Sequence, residues 1–346
     1  MPVPFTFTYK TYFEVGCYVV LLFFVVPIRI DNDYEIREQF MQYVKDFNKS
    51  YLDENIFNIR FDAFKKSLET INQLNSNRTN TSAHYGLTKF SDLSPEEFLL
   101  IQNNRRNTDA LVGNDFGELQ NRVSKRSTYW KNVPQKVDWR KKGVVSGVKY
   151  QKNCGACWAF SVTETIESMQ AIKNKNLTEL SVQQMIDCSI YNNGCQGGDT
   201  CSLLSWIKDS NVTIETETDY PLVLRDQKCR KTTNFHGGVR INDYVCDTFI
   251  GREDIILKLL ATNGPVVVSV SGETWQNYVG GVIQFHCDGE ISHAVQIVGY
   301  DLTAEVPYYI ARNSWGEDFG DKGYLYLAIG SNICHLAYEV AAVTVA

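Results

Sequence analysis

The sequence predicts an α+β fold in two halves, a helix-rich half followed by a strand-rich half with a cleft at their junction, preceded by a helical segment. Helical periodicity dominates residues 133–211, whereas short apolar runs separated by Gly and Asn dominate from about residue 239 onward. All cysteines except Cys17 follow residue 128. The 346 residues are 44% hydrophobic and 21% charged, which excludes disordered, collagen-like and coiled-coil classes.

An apolar segment near the N-terminus predicts export. Residues 15–28 carry no charged side chain and are too short to span a bilayer comfortably, which is typical of the apolar core of a signal peptide. We therefore expect residues 1–30 to be a signal peptide or a signal-anchor-like segment, a buried strand being the alternative. Five sequons agree with passage through the secretory pathway and are candidate glycosylation sites, at Asn48, Asn77, Asn80, Asn176 and Asn211.

The segment from residue 31 to about 100 is predicted to be helical. Apolar residues recur at helical spacing over 36–47 and again over 55–74. A third helix is expected to begin behind Ser94, because Ser is a good N-cap and proline follows it at the first helical position. The intervening residues 86–91 are interpreted as strand-like.

A connector follows this helical segment. Residues 101–128 are polar and irregular, and they carry the basic pair Lys125 and Arg126 near their end, as a protease-sensitive linker would. We therefore predict a detachable pro-segment with its basic connector at 31–126 and an enzyme domain at 127–346.

The enzyme domain contains predicted helices and strands in sequence order. Apolar spacing predicts helices at 157–172 and 180–188, the second behind an N-cap serine. Apolar runs bounded by Gly and Asn predict strands at 266–270, 294–300, 308–311 and 324–329. Ligand sites commonly form where two such halves meet.

The strongest chemical signal is a Cys-Gly-Ala-Cys-Trp motif at residues 154–158. Cys157 begins a predicted helix, whose positive end favours a thiolate. His293, 136 residues later, can take the thiol proton and return it to a leaving amine. Asn313 can accept the hydrogen bond that fixes the imidazole tautomer. The Cys157 backbone amide and the Gln151 side-chain amide can donate to the oxyanion of a tetrahedral intermediate.

Other interpretations of this motif fit less well. A Cys-x-x-Cys pair also occurs in redox proteins and zinc sites, but the sequence has no second such pair and no His pair at metal-ligand spacing. A redox protein would not need Gln151, His293 and Asn313. A catalytically silent homologue that acts as a binding protein is the competing hypothesis, and four filled catalytic positions argue against it. We expect neither a metal nor a cofactor.

At these residues the chain resembles the papain family of cysteine proteases, of the cathepsin L type. The likeness rests on five ordered blocks, at 133–140, 151–161, 194–198, 292–295 and 313–316. The pro-segment matches the two motifs of cathepsin L-type propeptides at Arg60, Phe64, Ile71, Asn75, Gly86, Phe90 and Asp92. Three stretches look most like the viral cathepsins of insect baculoviruses, at 43–51, 89–94 and 183–188.

The resemblance implies a papain-like two-subdomain fold, a helical half and a β-barrel-like half around an active-site cleft, preceded by a helical inhibitory prodomain. It implies the catalytic residues Cys157, His293, Asn313 and Gln151. It also implies substrate contacts at Gly197, Gly198, Ile291, Ala294, Trp315 and Glu339. Implied disulfides are Cys154–Cys195, Cys188–Cys229 and Cys287–Cys334, which leaves Cys201 and Cys246 either as a fourth bridge or as buried thiols.

The expected partners follow from the same resemblance. Polypeptides are the expected substrates, with broad cathepsin L-like specificity, and a Glu339 carboxylate at the floor of the S2 pocket would accept a basic P2 side chain. If the chain is viral, its expected role is degradation of host protein. The propeptide is the expected intramolecular inhibitor. A net charge of −6 provides no basic field for nucleic acid. We expect a monomer without stable membrane association after processing, in a lysosome-like or retained vesicle or outside the cell.

Overall fold

The computed structural model describes residues 32–76, 79, 82–102, 133–230, 237–287 and 289–346. The predicted signal segment, most of the connector, and the sequons at Asn77 and Asn80 lie outside the described residues. The described chain divides into two compact units, one ending at Phe57 and the other beginning at Asn58.

The first unit contains α1 (Asn32–Asp46) and the first turn of α2 (Glu54–Asn75). Aromatic rings form its interior, since Phe40 is fully buried, packs edge-on against Phe57 at 5.1 Å and stacks with Tyr51 at 5.9 Å between ring centroids. Both helices are confirmed close to their predicted bounds, because their apolar residues recur at helical spacing.

The second unit holds the remaining elements. Its described helices are α3 (Pro95–Gln102), α4 (Cys157–Asn174), α5 (Val182–Cys188), α6 (Thr200–Asp209) and α7 (Glu253–Thr262). Its described strands are β1 (His84–Tyr85), β2 (Lys136–Asp138), β3 (Ile214–Glu215), β4 (Gly238–Val239), β5 (Ile241–Asp247), β6 (Val266–Val270), β7 (Tyr278–Gly280), β8 (Val282–Ile283), β9 (His293–Asp301), β10 (Tyr308–Arg312), β11 (Tyr324–Ala328) and β12 (Val340–Val345).

Side-chain caps begin three of these helices. Ser94 and Glu97 form a capping box on α3: the Glu97 amide donates to the Ser94 hydroxyl at 3.2 Å, and the Ser94 amide donates to the Glu97 carboxylate at 2.9 Å. The Ser181 hydroxyl caps α5 and the Asp199 carboxylate caps α6. The predicted start behind Ser94 is therefore confirmed.

The main sheet has the strand order β5-β12-β6-β9-β10-β11-β8, with β2 beside β9. Strand β9 pairs antiparallel with both β6 and β10. His293 is the first residue of β9, and Asn313 follows the last residue of β10. Because antiparallel neighbours begin and end at the same edge of a sheet, this topology brings both residues to one edge.

Two hydrophobic cores confirm the α+β class. One lies among α4, α5 and α6, and includes Trp158 and Leu203; the other lies among the strands and α7, and includes Val268 and Tyr309. Helix α4 meets the sheet where Gln296 of β9 donates to the Glu164 carbonyl at 3.1 Å. Cys157 at the start of α4 and His293 at the start of β9 therefore come from the two sides of the junction.

Three local predictions are wrong. Residues 86–91 form no strand, because the Ser91 hydroxyl accepts the Thr88 amide and closes a turn instead. Helix α7 lies inside the half predicted to consist of strands, where its apolar face packs on the sheet core. Ile101 and Gln102, predicted to begin the irregular connector, complete α3 and are buried to 6% and 0% exposure.

Candidate active site

Cys157 is the free cysteine of the described residues and the first residue of α4. Its side chain is fully buried, and its Sγ donates a hydrogen bond to the carbonyl oxygen of Gln102 at 2.9 Å. Burial raises the pKa of this thiol to about 12, against the lowering effect of nearby backbone amides. A residue of the predicted pro-segment therefore covers the predicted nucleophile, and burial favours its neutral thiol form.

The predicted base and its partner lie together. His293 Nε2 is 2.8 Å from Asn313 Oδ1, and that oxygen also accepts the Ser314 backbone amide at 2.8 Å. Because an amide oxygen can only accept, Nε2 must carry the imidazole proton. The other ring nitrogen, Nδ1, is then the one able to accept a proton from a thiol.

Two tryptophans enclose the imidazole. Trp315 stacks on His293 at 4.6 Å between ring centroids, and Trp275 meets the same ring edge-on at 6.0 Å. His293 is fully buried, and burial lowers its pKa to about 4, against the raising effect of the Asn313 hydrogen bond. Burial therefore moves the pKa of the Cys157 thiol and the pKa of the His293 imidazole each toward the neutral form.

Gln151 also contacts the pro-segment. Its side-chain Nε2 donates to the Ile101 carbonyl at 2.8 Å and to the Cys154 carbonyl at 2.8 Å. Its Oε1 accepts from the Ser314 hydroxyl, which orients the amide so that the NH₂ group faces Ile101. Peptide carbonyls of two consecutive pro-segment residues thus lie on the predicted oxyanion donor and on the predicted nucleophile.

The Gln102 side chain adds two further hydrogen bonds that hold this residue over the site. Its Nε2 donates to the Gly272 carbonyl at 2.7 Å, and its Oε1 accepts from the Ser292 hydroxyl at 2.5 Å. Sequence reasoning missed this residue, because a polar Gln at the start of a polar stretch resembles any linker residue. It also missed Trp275, for which the sequence carries no signal, and Ser314, which lies inside the block at 313–316 but was given no role.

Among the predicted substrate-contact residues, Glu339 is held by two hydroxyl groups close to Ala294. Glu339 is 6% exposed, and its Oε1 accepts from the Thr200 hydroxyl at 2.8 Å and from the Ser269 hydroxyl at 2.6 Å. Ser269 is the register partner of Ala294, the residue after His293. The structure thus brings Glu339 and Ala294 to the same part of the sheet, next to hydroxyl groups that the sequence reasoning did not single out.

Three further predicted residues differ in burial. Gly197 is buried with a φ of 113°, which favours glycine. Gly198 is buried against Trp158, where a Cβ would come within 2.7 Å of the indole ring. Ile291 is half-buried, two residues before His293.

Four disulfides link the described chain. Three join the pairs implied by the resemblance, Cys154–Cys195, Cys188–Cys229 and Cys287–Cys334. The fourth joins Cys201 of α6 to Cys246 of β5, which decides between the two alternatives left open for this pair. Because Cys154 is bridged to Cys195, it is not available as the redox partner of Cys157.

Three of the candidate glycosylation sites lie within the described residues. Asn48, Asn176 and Asn211 are exposed, as a glycosylation site must be. Within the described ranges no helix is long and apolar enough to cross a membrane. The same ranges contain no group of three or more His, Cys, Asp or Glu side chains that could hold a metal ion.

The fold and the site define a cysteine protease with its inhibitory pro-segment in place. Residues 133–344 match the papain family of cysteine proteases, and residues 40–98 match the cathepsin propeptide inhibitor domain. The chain belongs to the papain family. It is made as a zymogen, in which the propeptide acts as an intramolecular inhibitor.

Individual relatives cover most of the chain. Cathepsin O of Homo sapiens is 41% identical over 286 residues, which are 82% of this chain and 87% of that protein. Cysteine proteinase A of Leishmania mexicana is 34% identical over 333 residues, covering 95% of this chain and 91% of that protein. Among solved structures, a recombinant stem bromelain precursor superposes with a TM-score of 0.75 at 28% identity, covering 90% of this chain and 99% of that chain. The digestive procathepsin L 3 of Tenebrio molitor larval midgut gives 0.73 at 29%, covering 89% and 99%.

Proposed function

We propose that this chain is the zymogen of an endopeptidase in which Cys157 is the nucleophile, His293 the general base and acid, Asn313 the orienting residue and Gln151 an oxyanion donor. The main support for the proposal is a pair of hydrogen bonds: the Gln151 side-chain amide donates to the Ile101 carbonyl, and the Cys157 thiol donates to the Gln102 carbonyl. A cleft that receives consecutive peptide carbonyls at these two groups is suited to bind a polypeptide substrate.

The reaction follows from the hydrogen bonds of the site. Once the pro-segment leaves, the Gln102 carbonyl no longer covers Cys157. Water then reaches the thiol, which reduces the desolvation that keeps it neutral. The thiol proton moves to His293 Nδ1, and the thiolate attacks the carbonyl carbon. The Cys157 and Gln151 amides stabilise the oxyanion. His293 protonates the leaving amine and then activates the water that hydrolyses the thioester.

Domain limits and processing belong to the same proposal. Residues 1–30 act as the signal segment, 31–126 as the propeptide with its connector, and 127–346 as the peptidase. Cleavage falls in the connector after the chain enters an acidic compartment of the secretory pathway. The mature enzyme then resides in a lysosome-like or retained vesicle, or outside the cell after release. The active form is a monomer without stable membrane association. Carbohydrate on the exposed sequons Asn48, Asn176 and Asn211 fits that route.

Substrate specificity is of the cathepsin L type, with tolerance of a basic residue at P2. The support is Glu339, whose carboxylate is oriented by the hydroxyls of Thr200 and Ser269 in a largely buried position. A buried carboxylate pairs favourably with an arginine side chain. The test compares the Arg-to-Leu ratio of kcat/KM at P2 before and after Glu339→Gln. A ratio that stays unchanged contradicts the proposal, while Glu290→Gln, which removes an exposed carboxylate beside Ile291, should preserve it.

The likeness to baculoviral cathepsins stays a prediction, as does the degradation of host protein that it would imply. It rests on three short stretches, at 43–51, 89–94 and 183–188. The relatives described above come from Homo sapiens and Leishmania mexicana, so they lend this narrower likeness no support.

Active-site titration tests the proposed function. The acidified, processed chain is incubated with an epoxide inhibitor of cysteine proteases, and the labelled residue is located by peptide mapping. We expect one equivalent of label on Cys157 and loss of peptide hydrolysis in proportion. A properly processed chain that hydrolyses no peptide and takes no label at Cys157 would be a silent homologue, and the proposal would be wrong.

A further inference from the structure

The Lys89 side chain of the pro-segment binds to three groups of the enzyme domain: the Tyr150 ring, the Trp315 carbonyl and the Asp318 carboxylate. These three groups together form a cation receptor. Lys89 Nζ donates to the Trp315 carbonyl oxygen at 2.5 Å and lies 2.6 Å from Asp318 Oδ1. The ammonium group also lies over the Tyr150 ring, 3.8 Å from the centroid. A carbonyl dipole, a carboxylate and an aromatic face therefore converge on one cation.

The shape of this receptor is built into the enzyme domain. Gly316 leaves the space that the ammonium fills, because a Cβ at this position would lie 3.2 Å from Lys89 Nζ and 2.9 Å from Asp318 Oδ1. Its φ of 84° also favours glycine. Tyr150 and the loop that carries Trp315 and Asp318 stay with the enzyme when the pro-segment is removed.

The receptor lies beside the catalytic residues. Tyr150 precedes the oxyanion donor Gln151, and Trp315 stacks on His293 at 4.6 Å. His293 delivers its proton to the leaving amine, so the groups packed around it lie next to the leaving-group half of a bound substrate.

We propose that the mature enzyme uses Tyr150, the Trp315 carbonyl and Asp318 to bind a lysine or arginine side chain on the leaving-group side of its polypeptide substrates. The inference rests on the proposed endopeptidase function and adds a preference on the primed side to it. A cation is the ligand because the receptor presents one full negative charge, one carbonyl oxygen and one π face, all of which attract positive charge.

The test uses the activated enzyme and internally quenched peptides. One neutral parent peptide is compared with variants that carry Lys or Gln in turn at P1′, P2′ and P3′, and kcat/KM is measured for each. We expect Lys to exceed Gln by about fivefold at one of these positions, as an ion pair together with a cation–π contact would give. Asp318→Asn should reduce that ratio to below about twofold, and Tyr150→Leu should also lower it.

Glu317→Gln is the matched control, since it removes an exposed carboxylate one residue before Asp318 and should keep the preference. Cleavage of the neutral parent without a Lys preference at any primed position overturns the receptor alone. A preference that persists in Asp318→Asn, or that disappears equally in Glu317→Gln, also overturns it. Failure to cleave the neutral parent contradicts the proposed function instead, and this inference with it.

Discussion

Gln102 is the residue that most directly closes the site of the zymogen, and Gln102→Ala should open it. The substitution removes two buried side-chain hydrogen bonds, one to the Gly272 carbonyl at 2.7 Å and one from the Ser292 hydroxyl at 2.5 Å. At about 0.5–1.5 kcal/mol for each bond, closure weakens by about 1–3 kcal/mol. The fraction of molecules with an uncovered site then rises by about 5- to 150-fold.

Alkylation of Cys157 measures this opening. In the closed zymogen the thiol pKa is about 12, so at pH 7.5 roughly one molecule in 10⁴ or fewer carries a thiolate, and the buried sulfur reacts with iodoacetamide only after the pro-segment moves. The rate constant is followed by intact mass on the unprocessed chain, and peptide mapping assigns the label. We expect it to rise by at least fivefold in Gln102→Ala.

Gln73→Ala is the control, because Gln73 is exposed on α2 of the same pro-segment. It should react at the wild-type rate. If Gln102→Ala also reacts within twofold of the wild type, the Gln102 side chain does not hold the site closed. The closure would then rest on the backbone contacts of Ile101 and Gln102 alone.

Three further changes probe the site, the enzyme domain and the pro-segment. Asn313→Ala removes the acceptor that fixes the His293 tautomer, so kcat should fall at least about tenfold with a smaller change in KM; an unchanged kcat in steady-state assays would contradict this role. Burial raises the pKa of Glu164 to about 7 from 4.5, so the folded enzyme holds an extra proton between these values and loses stability as the pH rises through them. Urea denaturation measures the free energy of unfolding of the wild type and of Glu164→Gln at each pH. The wild-type value should fall by about 3 kcal/mol relative to the variant between pH 4.5 and 7. If the two values change in parallel with pH, this prediction is wrong. Arg60 donates two hydrogen bonds to the Glu97 carboxylate, at 2.5 and 3.0 Å. Because Arg60→Met removes this ion pair, processing at acidic pH, followed as a time course on gels, should become a few-fold faster. Identical time courses for the variant and the wild type would show that the pair does not stabilise the pro-segment.

Local patterns in the sequence were enough for most elements of the fold. Strand β6 was predicted at its observed bounds, and the helix behind Ser181 begins where its capping residue indicates. Hydrophobic spacing and side-chain caps act over a few residues, so a single sequence carries them. Helix α7 and the turn at 88–91 were missed for the opposite reason. Their backbones follow packing on the sheet and hydrogen bonds to side chains, which spacing alone does not reveal.

The chemistry of the site divides in the same way. The sequence by itself determined which residue types are available, because the motif around Cys157 and the blocks at His293 and Asn313 occur in the order that this reaction needs. It could not determine their ionisation. Only the tertiary structure buries Cys157 beneath the Gln102 carbonyl and His293 between Trp275 and Trp315. Desolvation then moves the pKa of each group toward its neutral form.

Long-range pairing was likewise decided only by the tertiary structure. The Cys201–Cys246 bridge, the Lys89 receptor and the hydroxyls around Glu339 each join residues far apart in the chain. Such contacts depend on how strands and helices pack, because a side chain meets a distant partner only after both elements have taken their places in the core. The sequence therefore determined the reaction this protein is equipped for, and the tertiary structure determined how it is held inactive until the pro-segment leaves.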